Sequence, residues 1–161
     1  RERVIIVGFR QNYPFAFPAP KKKCQSLDDI LLPESEVDKK YYLSEHMKNK
    51  FRSRIKVIPK GNTIWHENKS GNVKAHPYSC ALRANASHSY LSVNGIRRPT
   101  ARENLRLQGF PDSFKMVVSD SIIRKQAGNS VPVPMIQAVA EEMIKSMNQQ
   151  PLAYFSGSLF T

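Results

Sequence analysis

Cysteine is nearly absent: Cys24 and Cys80 are the only two in 161 residues. Two thiols cannot build a disulfide framework or a four-cysteine zinc site, so a reduced, intracellular protein is the expectation. Long apolar runs are missing as well. The longest aliphatic run, Val4 to Val7, is far too short to span a bilayer, and no charged-then-apolar leader opens the sequence. Acidic residues are scarce, with 13 Asp and Glu against 25 Lys and Arg and a formal charge of +12. No internal repeat or low-complexity tract occurs. With 40% hydrophobic residues the chain is too apolar to be a disordered tail, and its length allows one domain, or one small domain plus an appendage.

The surplus of positive charge implies a polyanionic partner. It is concentrated between residues 39 and 60, in Lys39, Lys40, Lys48, Lys50, Arg52, Arg54, Lys56 and Lys60, with Glu45 as the only acid. Tyr41, Tyr42, Phe51 and, just beyond, Trp65 are interleaved. Such a segment suits phosphate contacts with some stacking, and a solvated basic face with half-buried rings is the plain alternative. It lacks the clean apolar face that a membrane-surface helix needs.

Along the chain, residues 3–9 form a β-branched run that reads as a strand buried on both faces of an α/β sheet. Pro14, Pro18 and Pro20 then break regular structure, and a short helix is predicted over residues 26–32 with Ser26 as its N-cap and Pro33 as its stop. Residues 45–100 are polar, basic and turn-rich, with strand candidates at Ile55–Ile58 and Tyr90–Val93, and read as a small irregular β-containing domain. The character changes at Thr100. Thr100 and Glu103 have the spacing of a capping box, and Gly109 closes the helix before Phe110-Pro111-Asp112. A further helix is predicted from Ser119 or Asp120 to Gln126, followed by a tight loop, Gly128-Asn129-Ser130-Val131-Pro132. Met135, Ile136, Val139, Ala140, Met143, Ile144 and Met147 then recur at helical spacing, with Glu141, Glu142 and Lys145 opposite.

Three stretches stand in one order: Arg1-Glu2-Arg3-Val4-Ile5-Ile6-Val7-Gly8, then Arg98-Pro99-Thr100-Ala101-Arg102-Glu103-Asn104-Leu105-Arg106-Leu107-Gln108-Gly109-Phe110-Pro111-Asp112, then Gln126-Ala127-Gly128-Asn129-Ser130-Val131. This resembles the C-terminal part of the DNA (cytosine-5) methyltransferases, whose eighth, ninth and tenth sequence blocks these are. In that family a target-recognition domain lies between the eighth and ninth blocks, where this chain has its basic segment. Leu31-Leu32-Pro33-Glu34 and Lys40-Tyr41-Tyr42-Leu43-Ser44 look like the run-in to it.

The resemblance implies an α/β fold: the C-terminal part of a Rossmann-like methyltransferase domain plus a small irregular mixed α/β target-recognition domain. Residues 1–30 would be a catalytic-domain strand and connection, 31–97 the recognition domain, 98–150 the return to the catalytic domain, and 151–161 a tail. S-adenosyl-L-methionine is the implied cofactor, with Asn129, Ser130 and Val131 lining its pocket. On the residues alone, a plain loop-to-helix N-cap by Asn129 or Ser130 is the favoured reading. Arg3 would reach the target cytosine's ring oxygen and Arg1 would hold the adjoining site or phosphate. Both would point to one side of the strand, with planar, always-charged donors. Arg83, Asn85, Ser87, Ser89 and Arg97 are the candidate DNA contacts, whereas Arg102, Glu103 and Arg106 read as structural. Ala81 stands where the family usually has Thr.

The family's chemistry needs a Pro-Cys nucleophile, a Glu-Asn-Val glutamate and a glycine-rich cofactor loop, and this sequence contains none of the three. Lys23-Cys24-Gln25 imitates the nucleophile but lacks the proline and follows the eighth block instead of preceding it; neither Cys24 nor Cys80 is assigned as catalytic. The chain opens on Arg1, ahead of which an initiator Met is not normally trimmed. It is therefore expected to be the small subunit of a split enzyme or a piece of a longer chain, inactive alone. Its partners would be double-stranded DNA and the N-terminal half carrying the Pro-Cys nucleophile, with no membrane. A restriction-modification setting is implied, cytoplasmic in a bacterium and nuclear in a eukaryote. A non-catalytic DNA-binding module or degenerate remnant is the second reading, and a basic RNA-binding protein the third.

Overall fold

A computed structural model describes residues 4–20, 25–84 and 90–152. Contacts divide the chain into two compact units: Arg1–Lys22 with Val133–Thr161, and Lys23–Pro132.

The Lys23–Pro132 unit is built on a three-stranded antiparallel sheet of β1 (Ile64–Glu67), β2 (Val73–His76) and β3 (Leu91–Val93), in the order β2-β1-β3. Successive strand residues face opposite sides of a sheet, so Ile64 and Trp65 enter two different cores. On one face Ile64, Leu91 and Val93 pack with Leu27 of α1 (Leu27–Ile30), Ala101 and Leu105 of α3 (Ala101–Arg106), and Ile123 and Ala127 of α4 (Asp120–Asn129). On the other, Trp65 and Val73 pack with Leu43 and with Phe51 of α2 (Glu45–Arg54).

Local chemistry fixes the ends of these elements. Ser26 accepts the Asp28 N–H at 3.2 Å to start α1. Thr100 Oγ1 accepts the Glu103 N–H at 3.1 Å while Glu103 Oε2 accepts the Thr100 N–H at 2.7 Å, which completes the expected capping box. Gly109 closes that turn with φ of 79°. The turn after β3 places Asn94 (φ 51°) and Gly95 (φ 69°) at its centre, against the Trp65 ring.

Two expectations fail here. Residues 55–58 form no strand; they are the irregular exit from α2, which the sequence reading missed as a helix. Gly128 is not in a loop; α4 runs through it to Asn129.

In the other unit, α5 (Val133–Met147) occupies the predicted helical stretch. Phe9, Tyr13, Phe15 and Phe17 form a ladder of tilted and edge-on rings with centroids 5.1–5.6 Å apart. The Leu152 N–H reaches the Asn12 carbonyl at 2.7 Å. The expected strand over residues 3–9 is not formed: residues 4–9 carry no regular structure, and Val4 and Ile6 are each 89% exposed. A strand is a paired element, and no other described segment pairs with this one.

Candidate nucleic-acid interface

The basic stretch does not present all its charge. In α2, Ser44 caps the helix and Phe51 anchors it, leaving the polar residues outward. Glu67 on β1 accepts Lys50 Nζ at 2.7 Å and Arg54 Nη1 at 3.1 Å, and Glu45 holds Lys48 at 2.7 Å. Lys40 lies 2.8 Å from Asp120, whose carboxyl is held below its ordinary value by Lys40 and by the Tyr41 hydroxyl. Lys56 and Lys74 have no ion-pair partner among the described residues.

Those two lysines border one groove of about 540 Å³ between the 54–59 segment and the β1–β2 hairpin. Arg54, His76 and the amides of Asn68 and Asn72 share its walls, and Val57 and Pro59 give it apolar patches. Cations and neutral donors along an open, partly apolar channel suit a phosphodiester backbone. Lys56 was part of the basic run read from the sequence. Lys74 was not singled out, and its place on the hairpin next to Asn72 is the signal that could have found it.

Of the candidate contacts, Arg83 is exposed, with its guanidinium 4.8 Å above the Tyr90 ring. Its backbone N–H donates to the Tyr90 hydroxyl at 2.9 Å. His66 meets the edge of the same ring at 6.3 Å. Its pKa is lowered from 6.5, first by burial and then by the charges of Arg83 and His76. Burial pushes the Cys80 thiol up, so it stays protonated near neutrality. Asn85, Ser87 and Ser89 lie outside the described residues, as do Arg1, Arg3 and Cys24.

Arg97 must be corrected. It is 0% exposed and cannot meet DNA in this fold. Its Nη1 and Nη2 donate to both Glu103 oxygens at 2.9 and 2.8 Å, and Nε donates to Glu34 at 2.9 Å. The Glu103 carboxylate also accepts the Leu32 and Thr100 N–H groups, at 2.9 and 2.7 Å. Burial alone would lower the Arg97 pKa, but Glu103 and Glu34 outweigh it and raise the pKa. Two other arginines of the Arg98–Asp112 block are held by contacts within the unit. Arg106 grips Asp112 through two bonds of 2.8 and 2.7 Å and reaches the Ile30 carbonyl, while Arg102 donates to the Phe114 carbonyl.

At the far end of α4, Asn129 is exposed and Ser130 is the C-cap. The Ser130 N–H donates to the Gln126 carbonyl and its hydroxyl to the Ala127 carbonyl, both at 2.8 Å. Val131 follows, partly buried. Gly128 is buried, and a Cβ there would stand 2.4 Å from the Ala84 backbone nitrogen. Gly128 is therefore glycine for close approach and not for a turn, which replaces the sequence-based reason for it. Among the described residues no cluster of His, Cys, Asp and Glu could hold a metal ion, and no helix is long and apolar enough to cross a membrane.

Comparison with known proteins matches residues 1–145 to the family described as C-5 cytosine-specific DNA methylase. The Type II methyltransferase M.NgoBI of Neisseria gonorrhoeae is 52% identical over 86% of this chain and 44% of its own length. The Type II methyltransferase M.HaeII of Haemophilus aegyptius is 51% identical over 92% of this chain and 46% of its own length. The chain thus spans less than half the length of these relatives, and it matches their C-terminal portions.

Proposed function

This chain belongs to the C-5 cytosine-specific DNA methylase family, and from that premise we propose that it is the DNA-recognition and cofactor-closing part of a DNA (cytosine-5) methyltransferase. S-adenosyl-L-methionine would supply the methyl group that is carried to carbon 5 of a cytosine turned out of the helix. Asn129, Ser130 and Val131 would border the cofactor. Arg3 would reach the oxygen of the flipped base, where a fixed guanidinium stabilises the charge that develops when a nucleophile adds to the ring, and Arg1 would hold the neighbouring phosphate. The attacking thiolate would come from a Pro-Cys motif in the other half of the enzyme, with which this chain must combine to act. In this reading residues 31–97 read the duplex, 98–150 return to the catalytic domain, and the setting is an intracellular restriction-modification system.

The observation that carries this is the single compact unit holding both the Arg98–Asp112 block and the α4 end, with a cation-bordered groove on the same unit. Arg83, Lys56 and Lys74 are the DNA contacts favoured by exposure and by the absence of internal ion pairs. Arg97 drops out, and its role passes to holding the recognition region against the Thr100 helix.

The test combines this chain with a polypeptide carrying the Pro-Cys half and measures methyl transfer to duplex DNA. Transfer only in the mixture supports the proposal. Sequence-selective DNA binding without transfer by any such mixture would leave a non-catalytic DNA-binding module. Equal affinity for RNA would reject both.

A further inference from the structure

Gly128 touches a segment 44 positions upstream. Its missing side chain leaves room for the Ala84 nitrogen, the Ala84 Cα and the Arg83 carbonyl carbon, which would lie 2.4, 2.7 and 2.7 Å from a Cβ. These are backbone atoms, which cannot swing aside as the end of a flexible side chain can. The α4 residues around Gly128 are themselves anchored. Ala127 lies in the core at 1% exposure, and its carbonyl accepts the buried Gln108 amide at 2.8 Å. On its other side, the 83–84 segment is tied by the Arg83 N–H to the Tyr90 hydroxyl and by the Arg83 guanidinium over the Tyr90 ring. Leu82 just before it is buried. The segment is thus clamped between the end of one helix and one tyrosine.

We propose that Gly128 is a positioning residue for DNA contact: it seats the α4 end against the Arg83–Ala84 backbone and so fixes where the exposed Arg83 is presented. The proposal rests on the DNA-binding reading above for its functional half only. The helix that ends at Asn129, with Ser130 as its C-cap, is also the wall behind the Arg83 segment. A group larger than hydrogen at position 128 must therefore push that segment off its seat or lift the helix end.

Two variants test this in the whole chain. Gly128→Ala should shift the amide resonances of Leu82, Arg83 and Ala84 while leaving those of α2, in the other core, unchanged. It should also weaken duplex binding about tenfold, or about 1.4 kcal/mol. Tyr90→Phe removes only the hydroxyl and adds no bulk. It should loosen the same segment and weaken binding in the same direction, which keeps the proposal testable if Gly128→Ala does not fold. Ile122→Ala, on the exposed side of α4, should change neither. Unmoved 82–84 resonances in Gly128→Ala would overturn the clamp. Moved resonances with unchanged DNA affinity in both variants would overturn the link to DNA contact. Absence of DNA binding by the unmodified chain would instead sink the proposed function, and the resonance shifts would still decide the clamp.

Discussion

The Lys23–Pro132 unit and the helix α5 are both well patterned in sequence, yet they end in opposite conditions. The sheet unit covers both of its faces, one with α1, α3 and α4 and the other with α2, and satisfies even its buried Arg97 and Glu103. Helix α5 buries Val139 and leaves Ile136, Ile144 and Met147 exposed. A good amphipathic pattern guarantees a helix but does not supply the surface against which the helix buries. The sheet unit has its own core, whereas α5 has an apolar face without an equivalent cover among the described residues.

The sharpest break in that contrast is Arg97→Met. It strands Glu103, 0% exposed, without its cation, and should cost about 3–5 kcal/mol in urea unfolding. Gly95→Ala comes next. Its Cβ would sit 2.5 Å from the Trp65 ring at a φ of 69°, and overpacking of this kind costs about 1–3 kcal/mol, readable as a lowered melting temperature.

Acid should have a smaller effect through His66. Its folded pKa lies below 6.5, so as pH falls through 6.5 the unfolded chain takes the proton more readily than the folded one. That part of the stability is complete above 6.5 and is lost on acidification down through the folded value. Imidazole proton titration by NMR checks it, and Arg83→Gln should move the pKa back upward. The smallest effect belongs to α5: Ile144→Ser, at a 59% exposed position, should stay within about 0.5 kcal/mol. A much larger loss would mean that the apolar face of α5 is already covered, and the contrast would fall.

Much of the local architecture was legible because its signals are short-range. The Ser26 cap, the Thr100–Glu103 box, Gly109 and the spacing in α5 all act within a few residues. Helix α2 was not legible, because only Phe51 in it is buried and its polar residues give no periodic stripe. The burial of Arg97 could not be read locally either, since Glu34 lies 63 residues away. The same holds for Gly128, whose neighbour Ala84 is joined to it only by the fold. Residues 4–9 failed in the opposite sense: their composition suits a strand, but pairing requires a second strand.

Glu67 has a consequence for measurements on DNA. Its single negative charge is shared by Lys50 and Arg54, so it offsets one of their two positive charges and leaves fewer cations free to displace sodium or potassium condensed on a duplex. A plot of log affinity against log salt should therefore be shallower than the tally of basic side chains suggests. Glu67→Gln, by uncovering that one net charge, should steepen it by about one unit of slope.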